Sequence, residues 1–224
     1  MLLGRVQRYG RDMTRARRLG LAFAGGYLVG TLPSADLAAR LTTGGAVDVR
    51  SGGTGNPGGM NARRLLGRRV GTLVIVADIA KGAAACALGC RHSGDVGAHV
   101  GGVAAVLGHC YPVWSRFRGG KGVATSFGQC LATFPVYAPV DVTVATVVAR
   151  MPGLGRPALV SVGVSSVAWF AAGVLWWRRG LPNLWGPRPT VALPLANAAT
   201  AAVLASRAVT MLRRREPDEL ALPR

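Results

Sequence analysis

A glycine-rich segment near the middle of the chain, GHCYPVWSRFRGGKGVATSFG at residues 108–128, places a lysine among glycines between two apolar stretches. Gly119, Gly120 and Gly122 allow the backbone to approach a bound anion closely, and Lys121 supplies positive charge. The segment is not a nucleotide-binding P-loop, because it lacks the first glycine of that motif and has Gly122 where a Ser or Thr would follow the lysine. It therefore predicts a phosphate site of another kind.

A second glycine-rich segment, DVRSGGTGNPGGMNARR at residues 48–64, has the same character. Successive glycines let backbone N–H groups converge on one anion, and a helix predicted to begin near residue 64 would add its dipole. The candidate ligands are the guanidinium of Arg50, the backbone of Gly53, Gly55 and Gly58, and the side chains of Thr54, Asn56 and Asn61. The alternative is a flexible linker, although linkers are usually built from Gly and Ser without such spaced asparagines.

The chain contains 25 arginines but only two lysines, Lys81 and Lys121. An ammonium is a compact point charge, so lysines retained among so many arginines are candidates for phosphate contacts, with chance survival as the alternative. Lys81 lies in DIAKG at residues 78–82, where Asp78 shares its helix face and can pair with it, in a functional or a structural role. His109 ends an apolar stretch and is either a candidate base or a hydrogen-bonded structural histidine.

Composition indicates a membrane protein, because 50% of the residues are hydrophobic and only 16% are charged. The net charge of +18 does not indicate a nucleic-acid binder, since the arginines lie in short clusters between apolar segments. The expected partners are therefore the lipid bilayer and anionic substrates, with no nucleic acid. No metal site or cofactor is predicted, because the cysteines do not have the spacing of metal ligands.

Six apolar segments are candidates for membrane spans, at about 19–41, 69–91, 94–114, 122–149, 157–177 and 190–211. The fourth segment is too long for one span and contains Pro135 and Pro139, so we divide it near residues 134–139. The sequence thus predicts an all-α polytopic membrane protein with about seven transmembrane helices, or six if the fourth segment is one kinked helix.

We expect one domain over residues 1–224, with a basic N-terminal tail at 1–18 and a C-terminal tail at 212–224. The glycine-rich loops at 42–68 and 115–121 are both rich in basic residues, and the positive-inside rule places them in the cytoplasm. The prediction is a multi-pass protein of the cell (plasma) membrane with its active-site loops facing the cytoplasm. This count leaves the basic tail outside, unless the tail lies along a membrane surface.

Four motifs together resemble one family, the bacterial integral-membrane acyl-phosphate:glycerol-3-phosphate acyltransferases of the PlsY type. GTLP at residues 30–33 is similar to the family's G-S-I-P turn. Residues 48–61 align without gaps to D-x-R-x-x-G-S-G-N-P-G-A-T-N, with Thr54, Gly59 and Met60 as the substitutions. The family's D-x-x-K-G follows at 78–82, and G-H-x-x-P-V-x-x-x-F-x-G-G-K-G-V-A-T is met in full at 108–125.

The C-terminal part departs from the family's third motif, which is H-x-x-N-I-x-R-L before a basic stretch and a Glu. When that Glu is aligned to Glu216, Leu204 or Ala205 stands at the His and Arg207 stands at the Asn. The family's serine in the sixth span is matched by Ser161. Because the third motif helps to hold the acceptor in the family, the acceptor of this chain is left open.

The resemblance implies transfer of a fatty acyl group from acyl phosphate to the sn-1 hydroxyl of glycerol 3-phosphate, giving lysophosphatidic acid and phosphate in phospholipid synthesis. Lys121 and Arg50 are the expected phosphate ligands, and His109 or the acceptor's own phosphate takes the proton. Thr31, at the serine of the G-S-I-P turn, and Ser161 are further substrate-binding candidates. An acyl phosphate is already activated, so no serine or cysteine nucleophile and no cofactor is required.

Two other classes of protein remain as alternatives. One is a diverged homologue that uses another acceptor, or that binds lipid precursors without catalysis. The other is a small transporter for an organic phosphate, which the gapless motif matches disfavour. The oligomeric state and the acyl-chain preference do not follow from the sequence.

Overall fold

The computed structural model describes the backbone of residues 2–214, 216–218 and 220, with side chains from residue 14 onward. This part of the chain is helical and contains no strand, which confirms the predicted all-α class. The helices are α1 Leu2–Gly30, α2 Ser34–Thr43, α3 Gly59–Leu66, α4 Arg68–Cys110, α5 Val123–Thr133, α6 Ala138–Ala149, α7 Pro157–Arg179 and α8 Ala192–Arg213, with 3-10 turns at Val113–Ser115 and Pro135–Tyr137.

Helix α4 folds back on itself as two antiparallel arms, 68–92 and 95–110. Ser93 and Gly94 leave the helical conformation, and Gly94 has a φ of 59°, which a glycine adopts without steric cost. The arms then pack so closely that a side chain at Gly89 would collide with the backbone of Gly97. Small residues allow such close approach of helices in lipid, where van der Waals contact drives association.

Helix α1 lies against the second arm of α4 through a further series of small residues. A side chain at Gly26 would collide with the backbone of Gly101, and one at Gly30 would collide with that of Ala105. This contact brings the end of α1 beside the end of α4. Because α1 and the second arm run in parallel, the first part of α1 extends past the turn at Gly94, at the opposite end of the molecule.

The two predicted tails lie partly within helices α1 and α8. Residues 2–18 of the predicted basic tail form the first part of α1, and Met1 lies outside the described residues. The predicted C-terminal tail begins within the last turn of α8, and residues 215, 219 and 221–224 lie outside the described part. The proposed surface location of the N-terminal tail and the division into one domain with two tails stay predictions.

Three helical segments of the described chain are long and apolar enough to cross a membrane: Arg68–Ser115, which contains both arms of α4, Pro157–Arg179 and Ala192–Arg213. The pair Val123–Thr133 and Pro135–Ala149 adds a fourth if it forms one span, and it is bent by 120°. The division predicted near residues 134–139 is therefore present. The predicted count of seven spans is not confirmed, because helices of 11 and 12 residues rise only about 17 Å each against a hydrocarbon core of about 30 Å.

The apolar segment 19–41 is not the one continuous helix that its hydropathy predicted, but is broken at GTLP, where the family resemblance indicated a turn. Helix α1 ends at Gly30 and α2 begins at Ser34. Pro33 stands at the break, and a proline has no N–H with which to continue the hydrogen-bond ladder of a helix. The break gives the chain a short polar turn beside the end of α4.

The core lies among α5, α6, α7 and α8. Phe134, Tyr137, Trp169 and Leu193 are buried together, and the rings of Phe134 and Tyr137 stack with 5.3 Å between their centroids. Buried polar side chains also connect helices in this core. Asn197 of α8 donates to the carbonyl of Trp169 in α7 at 3.0 Å. These contacts fix α8 against the helices that follow the lysine segment.

Replacement of Gly101 by Ala tests the close packing of the α4 arms. The added methyl would meet the backbone of Ala85, so we expect a loss of about 1–3 kcal/mol of stability from overpacking. Gly163→Ala in α7 is the matched control, since nothing lies within 4 Å of its added carbon. Thermal unfolding in detergent checks the difference, and equal unfolding temperatures for the two variants would contradict the packing described.

Candidate functional site

Two cavities meet at the end of α4 beside the glycine-rich segments. The first, here called the polar cavity, has a volume of about 260 Å³ and is bordered by the α1–α2 turn, the end of α4 and residues 119–120. The second, called the apolar groove, has a volume of about 380 Å³ and lies between α5, α6 and α7. Asp78 and His109 line both cavities, so the two spaces share a wall.

The apolar groove opens at the surface of the helical bundle. Val123 and Val142 are part of its lining, and their exposed fractions are 44% and 49%. Its opening is thus bordered by apolar side chains on α5 and α6.

A third space, called the arginine cavity, has a volume of about 480 Å³ and adjoins the polar cavity through Arg50 and Gly119. Five arginines contribute to its wall: Arg50, Arg116, Arg118, Arg207 and Arg214. Only one acidic residue, Glu216, lies among the described residues that line it. This balance of charge favours an anionic ligand.

Most of the predicted site residues line these spaces. The polar cavity has Thr31, Arg50, His109, Gly119 and Gly120; the apolar groove has Asn56, Gly58, His109, Lys121, Gly122 and Ser161; the arginine cavity has Arg50, Thr54, Gly55 and Gly119. Gly53 and Asn61 line none of the three. In the described part of the chain, no three His, Cys, Asp or Glu side chains are grouped so as to hold a metal ion.

A buried ion cluster occupies the wall shared by the polar cavity and the apolar groove. Lys81 Nζ lies 2.8 Å from Asp78 Oδ1, which confirms the pairing inferred from their spacing. Ser34 donates to the same oxygen at 2.9 Å, and Lys81 also donates to the carbonyl of Leu32 at 3.0 Å. His109 Nδ1 lies 3.6 Å from that oxygen. The cluster therefore fixes the α1–α2 turn and both arms of α4 together.

Asn61 shapes the first glycine-rich loop from within. Its side-chain amide donates to the carbonyls of Val49 and Gly52, and its oxygen accepts from the N–H of Thr54 at 2.9 Å. Gly53 lies directly against this amide, with a φ of 60° and no room for a side chain. Helix α3 begins at Gly59, five residues before the predicted start, so Asn61 lies within its first turn.

The pKa of the Asp48 carboxyl at the start of this loop lies below its usual range, because the N–H of Arg50 donates to it at 2.8 Å. That hydrogen bond forms a tight turn between Asp48 and Arg50 at the start of the loop.

Several glycine N–H groups do not converge on a common anion as the sequence predicted. The N–H groups of Gly119 and Gly120 donate to the carbonyls of Cys110 and His109 at 3.0 and 3.1 Å. Those of Gly55 and Gly58 donate to the carbonyls of Gly52 and Asn56. The reason is that backbone donors in a tight loop must be satisfied, and nearby carbonyls do so. The role of these glycines in substrate binding stays a prediction, with close approach as their contribution.

Arg50 is engaged with protein groups on three sides. Its Nε and Nη2 lie 2.6 and 2.8 Å from the carboxylate of Asp36 in α2, and its Nη1 donates to the carbonyl of Arg118 at 2.6 Å. Arg50 thus ties the two glycine-rich loops to α2. Asp36 was not identified from the sequence, because its distance from Arg50 along the chain gives no pairing signal.

Lys121 lies in the apolar groove, where its ammonium nitrogen is buried. Gly122 follows with a φ of 84° and precedes α5, so the chain turns sharply directly after the lysine. Deeper in the groove, Ser161 donates to the carbonyl of Ala145 at 2.7 Å. Thr31 donates to the carbonyl of Leu28 at 2.7 Å and lines the polar cavity.

The sequence analysis did not identify Asp141, and it placed Arg207 at the Asn of the third motif without giving it a contact. Arg207 of α8 is 5% exposed and donates to the carbonyls of Gly119 and Gly120. Asp141 of α6 lines the apolar groove and accepts a hydrogen bond from Ser165 of α7. Asp141 is the only charged residue in the apolar segment 122–149, and this isolated charge is a signal by which it could have been found.

The fold and these cavities define an integral-membrane protein with a polar cavity and an apolar groove on either side of one wall. A family model described as glycerol-3-phosphate acyltransferase matches residues 20–216, and the chain belongs to that family. The resemblance noted in the motifs is therefore confirmed.

Curated relatives carry the same description. A glycerol-3-phosphate acyltransferase of Bacillus cytotoxicus is 46% identical over 110 residues, which are 49% of this chain and 54% of the relative. One of Myxococcus xanthus is 42% identical over 154 residues, or 66% of this chain and 79% of the relative. The match to the Bacillus cytotoxicus relative thus spans about half of that protein's length.

Solved structures of PlsY (YgiH), described as an integral membrane glycerol 3-phosphate acyltransferase, share the fold. The glycerol 3-phosphate form is 27% identical with a TM-score of 0.66, and the match covers 89% of this chain and 94% of that chain. The lysophosphatidic acid form matches with the same TM-score at 26% identity.

Asp78→Asn tests the ion cluster. It leaves the ammonium of Lys81 buried without its counter-charge, so we expect a loss of about 3–5 kcal/mol of stability. The double variant Asp78→Asn with Lys81→Met removes both charges and should recover much of that loss. Chemical denaturation in detergent measures both. A double variant no more stable than Asp78→Asn alone would contradict the assignment.

Proposed function

We propose that the protein transfers a fatty acyl group from an acyl phosphate to the sn-1 hydroxyl of glycerol 3-phosphate. The hydroxyl oxygen bonds to the acyl carbonyl carbon, the bond from that carbon to the phosphate oxygen breaks, and the products are lysophosphatidic acid and phosphate. The observation that supports this best is the wall shared by the polar cavity and the apolar groove at His109 and Asp78. Such a wall would let a polar acceptor and an acyl chain meet at one point.

The acyl phosphate is assigned to the apolar groove. Its chain would lie along α6 and α7, and its phosphate would lie near the buried ammonium of Lys121. A buried cation acts strongly on a phosphate because little water screens the two charges. As the bond to the leaving phosphate breaks, the same ammonium stabilises the charge that develops there.

Glycerol 3-phosphate is assigned to the polar cavity and the adjoining arginine cavity. Arg50 lines both, and Arg116, Arg118 and Arg214 add positive charge around the second. A phosphate held there would direct the glycerol hydroxyls toward the shared wall. Arg50 also keeps its pairing with Asp36, which would orient the guanidinium for a ligand.

The hydroxyl proton has two possible acceptors, as the sequence already indicated. His109 is buried on the shared wall with Nδ1 near Asp78 and Nε2 against Gly120. The acceptor's own phosphate is the other. Replacement of His109 by Gln distinguishes them, since it removes the imidazole but leaves the phosphate. Because an acyl phosphate is already activated, the reaction needs no covalent enzyme intermediate and no cofactor.

The glycine-rich loops are proposed to face the cytoplasm of a plasma-membrane protein, as their positive charge indicates. The arginine cavity lies on their side of the molecule, which supports supply of a water-soluble phosphate ester from there.

A different acceptor is the second candidate function. Arg207 stands where the family motif has Asn, and it binds loop carbonyls in this structure. A purified-protein assay separates the candidates by measuring phosphate release from acyl phosphate with glycerol 3-phosphate, with another polyol phosphate and with no acceptor. Release that requires glycerol 3-phosphate supports the proposed function. Release with the other acceptor alone supports the second candidate.

Lys121→Ala is expected to lower kcat by at least about 100-fold, because it removes the buried charge beside the leaving phosphate. The protein should still insert in the membrane. Arg150→Ala, which removes an exposed cation outside the three cavities, is the matched control and should keep its activity. An active Lys121→Ala enzyme would rule out the assigned role.

Ala145→Phe tests the path of the acyl chain. Its ring would occupy the apolar groove, so the kcat/KM ratio of a palmitoyl to a decanoyl donor should fall by roughly tenfold. Val147→Phe on the same helix is the control, because Val147 is 59% exposed and outside the groove. An unchanged ratio in Ala145→Phe would place the acyl chain elsewhere.

A further inference from the structure

Arg207 is the point at which α8 contacts the lysine segment. Its Nε donates to the carbonyl of Gly120 and its Nη2 to that of Gly119, both at 3.2 Å. Nη1 and Nη2 also donate to the carboxylate of Glu216 at 3.3 and 3.2 Å. All three guanidinium nitrogens are thus occupied, and the side chain is 5% exposed.

The glycine pair lies between this guanidinium and the end of α4. The two N–H groups donate to the carbonyls of Cys110 and His109, and the two carbonyls accept from Arg207. Gly120 also contacts the imidazole of His109 so closely that a side chain would collide with it. The backbone of the pair is therefore fixed on both sides, directly before Lys121.

An arginine is required for this set of contacts. Its planar fork presents several N–H donors at fixed angles, whereas a lysine ammonium is a single point and an Asn or Gln amide carries no charge for Glu216. Four of the five N–H groups of Arg207 have protein acceptors, against three of five in Arg50, so Arg207 has less capacity left for the phosphate of an acceptor.

We infer that Arg207 is a positioning residue that holds Gly119 and Gly120, and through them the ammonium of Lys121, at the apolar groove. Glu216 orients Arg207 in turn. The inference rests on the proposed function for its effect on catalysis, but its structural part does not. In this chain the third motif would act through the lysine segment rather than on the acceptor directly.

The first test measures the accessibility of Lys121 and needs no activity. The full-length protein in detergent is treated with an acetylating reagent for amines, and the modified lysines are located by mass spectrometry of chymotryptic peptides. The chain has only two lysines, so Lys81 serves as an internal reference. Arg207→Gln should raise the rate at Lys121 roughly tenfold relative to Lys81, because the loop loses its anchor. Arg213→Gln, at an exposed arginine of the same helix, should not.

Glu216→Gln is the second variant, and it tests the role of Arg207 if Arg207→Gln does not fold. It keeps an oxygen acceptor but removes the charge, so a smaller increase in the same direction is expected. Rates at Lys121 equal to those in Arg213→Gln, in whichever of these variants folds, overturn the inference.

The second test is kinetic. A misplaced Lys121 should lower kcat by roughly 10- to 100-fold in Arg207→Lys, while the KM for glycerol 3-phosphate stays within about threefold. A raised KM with an unchanged kcat would make Arg207 an acceptor ligand and overturn the inference. A wild-type protein without any transfer activity overturns the proposed function alone, since the labelling result is independent of it.

Discussion

The carboxylate of Asp78 is the group on which the arrangement of the site depends. It accepts from Ser34 and pairs with Lys81, and His109 lies next to it. A carboxylate and an ammonium buried at this depth are stable only as a pair with their remaining hydrogen bonds satisfied. The requirement draws the α1–α2 turn against both arms of α4. The wall between the polar cavity and the apolar groove follows from that one satisfied pair.

The glycines have two separate uses in this molecule. Those in α1 and α4 allow helices to approach within backbone contact, which determines where the ion cluster lies. Those in the two loops allow the chain to fold tightly around Asn61 and between His109 and Arg207. The amides of Gly55, Gly58, Gly119 and Gly120 donate to nearby carbonyls, so positive charge for the proposed phosphates would come mainly from side chains. The five arginines of one cavity and the lysine of the groove provide it at two distinct places.

Much of this was predictable where residues close in sequence carry the signal. Asp78 and Lys81 are three residues apart, and the family motifs at 48–61 and 108–125 contain most of the predicted site residues that line the cavities. The contacts that escaped prediction join distant parts of the chain, such as Arg50 with Asp36 and Arg207 with Gly119 and Gly120. Hydropathy missed the break at residues 31–33 because it averages over a single proline, and only the resemblance of GTLP to the family's turn indicated it. The count of seven spans is not confirmed for a related reason, since hydropathy does not measure a 120° bend.

The opening of the apolar groove between Val123 and Val142 has a consequence for how the proposed reaction would be supplied. If the donor enters sideways from the bilayer, its rate of binding depends on its density in one leaflet and not on its concentration in water. The lipid product would leave by the same lateral route, while phosphate would leave through the arginine cavity into solution. The turnover rate would then depend on the composition of the membrane around the enzyme. Dilution of the donor with inert lipid would lower that rate even when the total amount of donor is constant.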